Sequence, residues 1–111
     1  MSTLHLSAVV FRRGEWYIGQ FLEHDIATQA RSYEDLLRDM RRILVAHVTI
    51  AREGGGTPFE KIPPAPRRYW QLFEEGAPLA PTPGAPGLPM VDVALHGTLR
   101  DLSLAGTAPP P

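Results

Sequence analysis

Between Ser32 and Gly56 the chain carries an apolar stripe that only a helix can gather on one side, and the rest of the fold must supply a surface for it. Tyr33, Leu36, Leu37, Met40, Ile43, Leu44, His47, Val48 and Ala51 recur at steps of three and four, the spacing that lines one face of a helix with 3.6 residues per turn. Both ends are marked. The Ser32 hydroxyl can cap the first free backbone N–H groups, and Asp35, three positions on, can reach back to the cap. Gly54, Gly55 and Gly56 supply residues that adopt the left-handed conformation closing a helix without a side-chain penalty. On the outer face Glu34 precedes Arg38 by four and Asp39 faces Arg42, pairs worth a few tenths of a kcal/mol each on a solvated surface.

What lies before the helix is strand-like. Leu4 to Phe11 alternates Leu4, Leu6, Ala8 and Val10 against His5, Ser7, Val9 and Phe11. Arg12-Arg13-Gly14-Glu15 is a short polar connection with one glycine, suited to a hairpin. Trp16 to Leu22 returns as a second strand in which Gly19 marks a bulge or a close backbone approach. Glu23-His24-Asp25 breaks it, and Ile26 to Ala30 leads as a third strand into Ser32. Short loops between consecutive strands make an antiparallel meander with the long helix laid across one face, an α+β fold.

After the helix, Thr57 to Pro66 contains Pro58, Pro63, Pro64 and Pro66 and is expected to be extended, with Phe59 and Ile62 against the core. Arg67 to Glu75 reads as a short helix ended by Gly76, because Pro66 suits the start of a helix and Tyr69, Trp70, Leu72 and Phe73 fall on one side. Ala77 to Pro89 holds five prolines and has linker composition. Met90 to Leu95 alternates again as a fourth strand, Gly97 with Leu99 to Leu104 reads as a further hairpin, and Thr107 to Pro111 is a tail. The expected organisation is a core over residues 1–56, a proline-rich segment and aromatic helix over 57–76, a linker over 77–89 and a late strand and tail over 90–111.

Composition narrows the function. A chain of 111 residues that is 43% hydrophobic suits one small core. Its formal charge of −1 argues against a strongly basic nucleic-acid surface, although a local basic patch is compatible with it. Without cysteine there are no disulfides and no thiolate-bound metals. Met1 to Ser7 lacks the basic-then-apolar pattern of a leader, and no stretch approaches the roughly 18 apolar residues of a membrane helix, so a cytoplasmic protein without a membrane role is expected.

The three-stranded meander, the Thr28-Gln29 pair closing its third strand and the helix start Ser32-Tyr33-Glu34-Asp35 together resemble the N-terminal domain of the HicB family of antitoxins, over about residues 4 to 50. That resemblance implies a truncated ribonuclease-H-like fold and, as partner, a small toxin ribonuclease. Members of the family commonly append a helix-turn-helix or ribbon-helix-helix module that binds operator DNA. Here Met90 to Pro111 contains Arg100, no lysine and no second helix. Arg12, Arg13, Arg38, Arg41, Arg42, Arg67 and Arg68 are scattered among acids in the sequence, so DNA binding by this chain alone is not expected.

The residues that carry chemistry elsewhere have ordinary explanations. Glu23-His24-Asp25 could in principle hold a metal or an acid–base pair, but adjacent residues in extended chain alternate in direction and read better as a polar turn. His47 belongs to the apolar stripe, and His5 and His96 have no partner spacing. A ribonuclease-H-like nuclease needs carboxylates on its strands, and Leu4 to Phe11 has none. The glycine run 54–56 lacks the Lys-Ser/Thr of a phosphate loop. The expectation is therefore no catalytic residue, no cofactor and no metal. The partner-binding candidates are Tyr69, Trp70 and Phe73, which either pack on the sheet or meet another protein. Exposed sheet edges make a homodimer the expected oligomer, with the late strand able to reach a neighbouring subunit or its own sheet. Two functions fit: a protein-binding antitoxin or orphan relative, and a stand-alone domain of the same fold binding a small ligand or another protein with no toxin.

Overall fold

A computed structural model of the protein describes residues 4–79 and 91–101. The chain is α+β. It forms β1 (Leu4–Arg13), β2 (Trp16–Phe21), β3 (Ala27–Ala30), α1 (Tyr33–Gly54), α2 (Arg67–Glu75), β4 (Ala77–Pro78) and β5 (Val91–Asp101) in that order. The five strands make one mixed sheet in the order β3-β2-β1-β5-β4.

The meander forms as its pattern predicts. β1 and β2 pair antiparallel with Arg13 opposite Trp16 and Ala8 opposite Phe21, and β2 pairs β3 with Tyr17 opposite Ala30. Only Gly14 and Glu15 separate the first two strands. Gly14 takes φ +60° there, the conformation that tight hairpins require. Because strand side chains alternate, the register divides the sheet into two faces. Leu6, Ala8, Val10, Phe21, Ala30, Val91, Val93 and Leu95 point to one, while Val9 and Phe11 point to the other.

α1 covers the first face, chiefly over β2 and β3. Ser32 Oγ accepts from the Asp35 N–H at 3.1 Å, and Gly55 closes the helix at φ 76° with its N–H on the Ala51 carbonyl. The reciprocal half of the expected capping box is replaced: the Asp35 carboxylate accepts from Arg38 at 3.0 Å, Asp having a shorter reach than the Glu or Gln of the usual motif. Arg38 is thus paired with Asp35 rather than with Glu34, and Arg42 with Asp39 at 3.5 Å.

Leu36, Met40 and Leu44 are 0% exposed, and full burial of such side chains is worth about 1.5–3 kcal/mol each. Leu37 and Ile43, on the same stripe, are only partly covered at its flanks. Gly19 is the close approach anticipated from sequence. A Cβ built there would lie 2.6 Å from Met40 Sδ, so its absence lets α1 settle onto β2.

The late strand, for which the sequence left its own sheet and a neighbouring subunit both open, joins its own sheet and runs longer than expected. β5 runs parallel to β1 inside the same sheet, with Leu4 opposite Val91 and Val10 opposite Gly97. It continues through Gly97 to Asp101 instead of turning back as a hairpin. Gly97 allows this by lying directly on β1: its φ is +154°, and a Cβ there would fall 2.0 Å from the Val10 carbonyl oxygen. The pairing then shifts, with Arg12 opposite Asp101, so the irregularity is absorbed as a bulge. Ala77 and Pro78, expected to be linker, pair with Gly97 and His96 as β4. Met90, the remainder of the linker from residue 80, residues 102–104 of the expected hairpin and the tail from Thr107 lie outside the described residues.

Candidate functional site

Each member of the Glu23-His24-Asp25 turn is committed to a different part of the scaffold. Glu23 Oε1 accepts from the Ser7 N–H of β1 at 2.6 Å. His24 Nδ1 donates to the Ile62 carbonyl at 2.9 Å, which fixes its tautomer. Asp25 Oδ1 accepts from Gln20 Nε2 at 2.9 Å, satisfying the one buried polar side chain of β2. The three side chains diverge and bind strand, loop and strand. Among the described residues no three histidines or carboxylates come together in a metal-holding arrangement.

Residues 58–61 form turns where an extended run was expected, and Phe59 is their anchor. Phe59 is 5% exposed and is held at φ 64°, a conformation that costs a bulky residue of the order of 1–3 kcal/mol. That backbone directs its ring between two imidazoles, His24 at 5.1 Å and His47 at 4.7 Å between ring centres. His47 is therefore a packing residue on the stripe. His5 and His96, without partners by sequence spacing, gain them from the fold: the parallel pairing of β1 with β5 sets His5 Nδ1 3.3 Å from Asp92 Oδ2, and α2 packing on β5 stacks Phe73 on His96 at 4.0 Å. No local spacing could have disclosed either contact.

The three aromatic candidates lie on the second face of the sheet, where α2 packs over β1 and β5. Tyr69 stacks with Phe11 at 6.1 Å between ring centres. Trp70 Nε1 donates to the Ala65 carbonyl at 3.2 Å, and Phe73 meets His96. With Val9, Phe11, Leu22 and Ala65 they form a second small core. All three remain half-buried, so each keeps an outward edge.

Tyr69 also begins a surface row that sequence order conceals. The Arg68 guanidinium lies 4.6 Å from the centre of the Tyr69 ring, Arg13 5.6 Å from that of Phe11, and Arg31 5.0 Å from that of Trp16. Arg13 and Trp16 are cross-strand partners, so the contacts run from α2 through β1 and β2 to the end of β3. Trp16 is 36% exposed, and the four arginines 13, 31, 67 and 68 are exposed as well. None of the four forms an ion pair among the described residues. On the helix side burial raises the pKa of the Tyr33 phenol. Among the described residues no helix is long and apolar enough to cross a membrane. Scans of the chain against family models, curated protein sequences and solved structures find no match.

Proposed function

We propose that the chain is a non-enzymatic protein-binding domain, a HicB-like antitoxin or an orphan relative, that neutralises a small toxin ribonuclease by direct contact in the cytoplasm. The observation that carries this reading is the β-β-β-α unit itself: β1, β2 and β3 as a meander, Thr28-Gln29 within β3, and α1 capped by Ser32. The commitment of Glu23, His24 and Asp25 to separate scaffold contacts supports a binding role over a catalytic one. β3 is one of the two outer strands of the sheet, and a second copy pairing there would give the homodimer. The outward edges of Tyr69, Trp70 and Phe73 are the proposed contact for the toxin.

Purification of the tagged protein from its own host tests the reading. A small ribonuclease should co-elute, and adding the purified chain should suppress its RNA cleavage in a stoichiometric titration. A chain that elutes alone, or that leaves a co-eluting ribonuclease fully active, would overturn it. Magnesium, manganese or zinc should leave the melting temperature unchanged, since a ligand that binds only the native state must raise it. A dose-dependent rise, lost in His24→Ala or Asp25→Ala, would instead establish a metal site and reopen catalysis.

A further inference from the structure

The arginine–aromatic row on the second sheet face calls for a ligand that the protein-binding reading does not supply. α2 covers that face over β1 and β5. Beyond it, Trp16, Ala27 and Gln29 are exposed on β2 and β3, with Arg13 and Arg31 at their hairpin end. Arg68 borders the same area through Tyr69, which stacks on Phe11, and Arg67 precedes it in the first turn of α2, which has no acidic residue and no side-chain cap. Two cations at the positive end of a helix dipole repel it locally, and an anion beside them removes that repulsion. Glu15, in the hairpin turn, is the nearest acid in sequence, yet none of the four arginines is ion-paired among the described residues.

We infer that this face binds single-stranded nucleic acid, with Arg13, Arg31, Arg67 and Arg68 on phosphates and the Trp16–Arg31 stack as a platform for a base. Three features fit that ligand together. The guanidinia of Arg13, Arg31 and Arg68 are held against rings, which orders them in advance; Arg68 donates one Nη2–H to the Tyr69 hydroxyl at 3.2 Å, and its other N–H groups, like those of Arg13 and Arg31, can meet phosphate oxygens. An exposed indole with a guanidinium on it offers a flat surface on which bases of any sequence stack. Gln29, directly opposite Ile18 on β3, adds an amide able to bond a base edge. An acidic protein segment would use the charges but leave Trp16 and Gln29 without a role. The near-neutral charge of the whole chain bounds the affinity, because acids elsewhere oppose the local field.

The test is fluorescence anisotropy of labelled twelve-nucleotide oligouridylate and oligodeoxythymidylate against the full chain. Binding should be seen at 50 mM salt. Four neutralised phosphates predict a salt slope of about −3, and hence a loss of about fifty-fold between 50 and 200 mM. The double variant Arg13→Glu/Arg31→Glu, its fold checked by circular dichroism, should abolish binding. Trp70→Phe, which leaves Trp16 as the only indole, should retain binding and show quenching on titration with either strand. Preference for oligouridylate would assign the site to RNA, and equal affinity to single strands of both kinds. No binding of either strand at 50 mM salt overturns the inference. So does binding indifferent to the charge reversal, or a polyglutamate peptide that competes fully while Trp16 fluorescence stays constant, which would mark an acidic-protein surface.

Discussion

Gly97 and Tyr33 show how single residues set limits that no average property predicts. Gly97 sits against the Val10 backbone at φ +154°. An alanine there must move β1 and β5 apart, combining backbone strain of about 1–3 kcal/mol with overpacking of a similar size. Gly97→Ala is therefore expected to lose at least about 2 kcal/mol in urea unfolding, whereas alanine at the exposed Gly54, which has open space around it, should be neutral or stabilising. Tyr33 buries its hydroxyl oxygen with no hydrogen-bond partner among the described residues, and burial raises its pKa above the usual 10.0. The neutral phenol is thus favoured more in the folded than in the unfolded chain. Its contribution is intact below pH 10 and declines as pH rises through and above that value. Tyr33→Phe should leave stability at neutral pH unchanged or improved, since it removes an unsatisfied group, and should flatten the alkaline fall in melting temperature between pH 9 and 11 relative to the parent.

Among the elements, α1 is the one whose packing decides whether the domain holds. Leu36, Met40 and Leu44 are fully buried, while Leu37 and Ile43 lie at the margins. An aspartate at Met40 or Leu44 would have to leave its charge unpaired beneath the helix, at a cost comparable with the about 5–15 kcal/mol that such a domain has in total. Met40→Asp and Leu44→Asp should show no cooperative thermal transition. Leu37→Asp should still fold, with a reduced midpoint, because a marginal carboxylate can turn to water. Equal damage at all three positions would mean that the helix sits rotated from its observed face. α2 behaves differently, since its aromatic side rests on a smaller core of Val9, Phe11, Leu22 and Ala65.

At the scale of the whole molecule, β5 completes what the meander leaves open. β1 would be an edge without it, and Val91, Val93 and Leu95 close the end of the main core beside Leu4, Leu6 and Ala8. A chain truncated after Leu79 should lose cooperative unfolding, bind a hydrophobic dye and aggregate, because it exposes both apolar surface and an unpaired strand. A sharp calorimetric transition in that truncated chain would show that residues 1–79 fold on their own. The same parallel pairing brings His5 to Asp92, and α2, packed over β1 and β5, brings Phe73 to His96 and Arg68 to the level of Arg13.

The features the sequence determined by itself are those made between near neighbours. The α1 stripe with its Ser32 and Gly55 caps, the turn at Gly14, the three alternating strands and the bounds of α2 all depend on contacts a few residues apart, and periodicity records such contacts directly. Tertiary structure decided the rest. That β5 lies parallel to β1 and passes through Gly97 depends on a backbone contact between positions 10 and 97, and no local pattern encodes such a distance. Arginines 13, 31, 67 and 68, scattered along the chain, become one exposed group only after the sheet sets Trp16 beside Arg13 and α2 lays Tyr69 on Phe11. Charge in a sequence is ordered by chain position, whereas the field a ligand meets is ordered by distance, and folding alone converts one into the other.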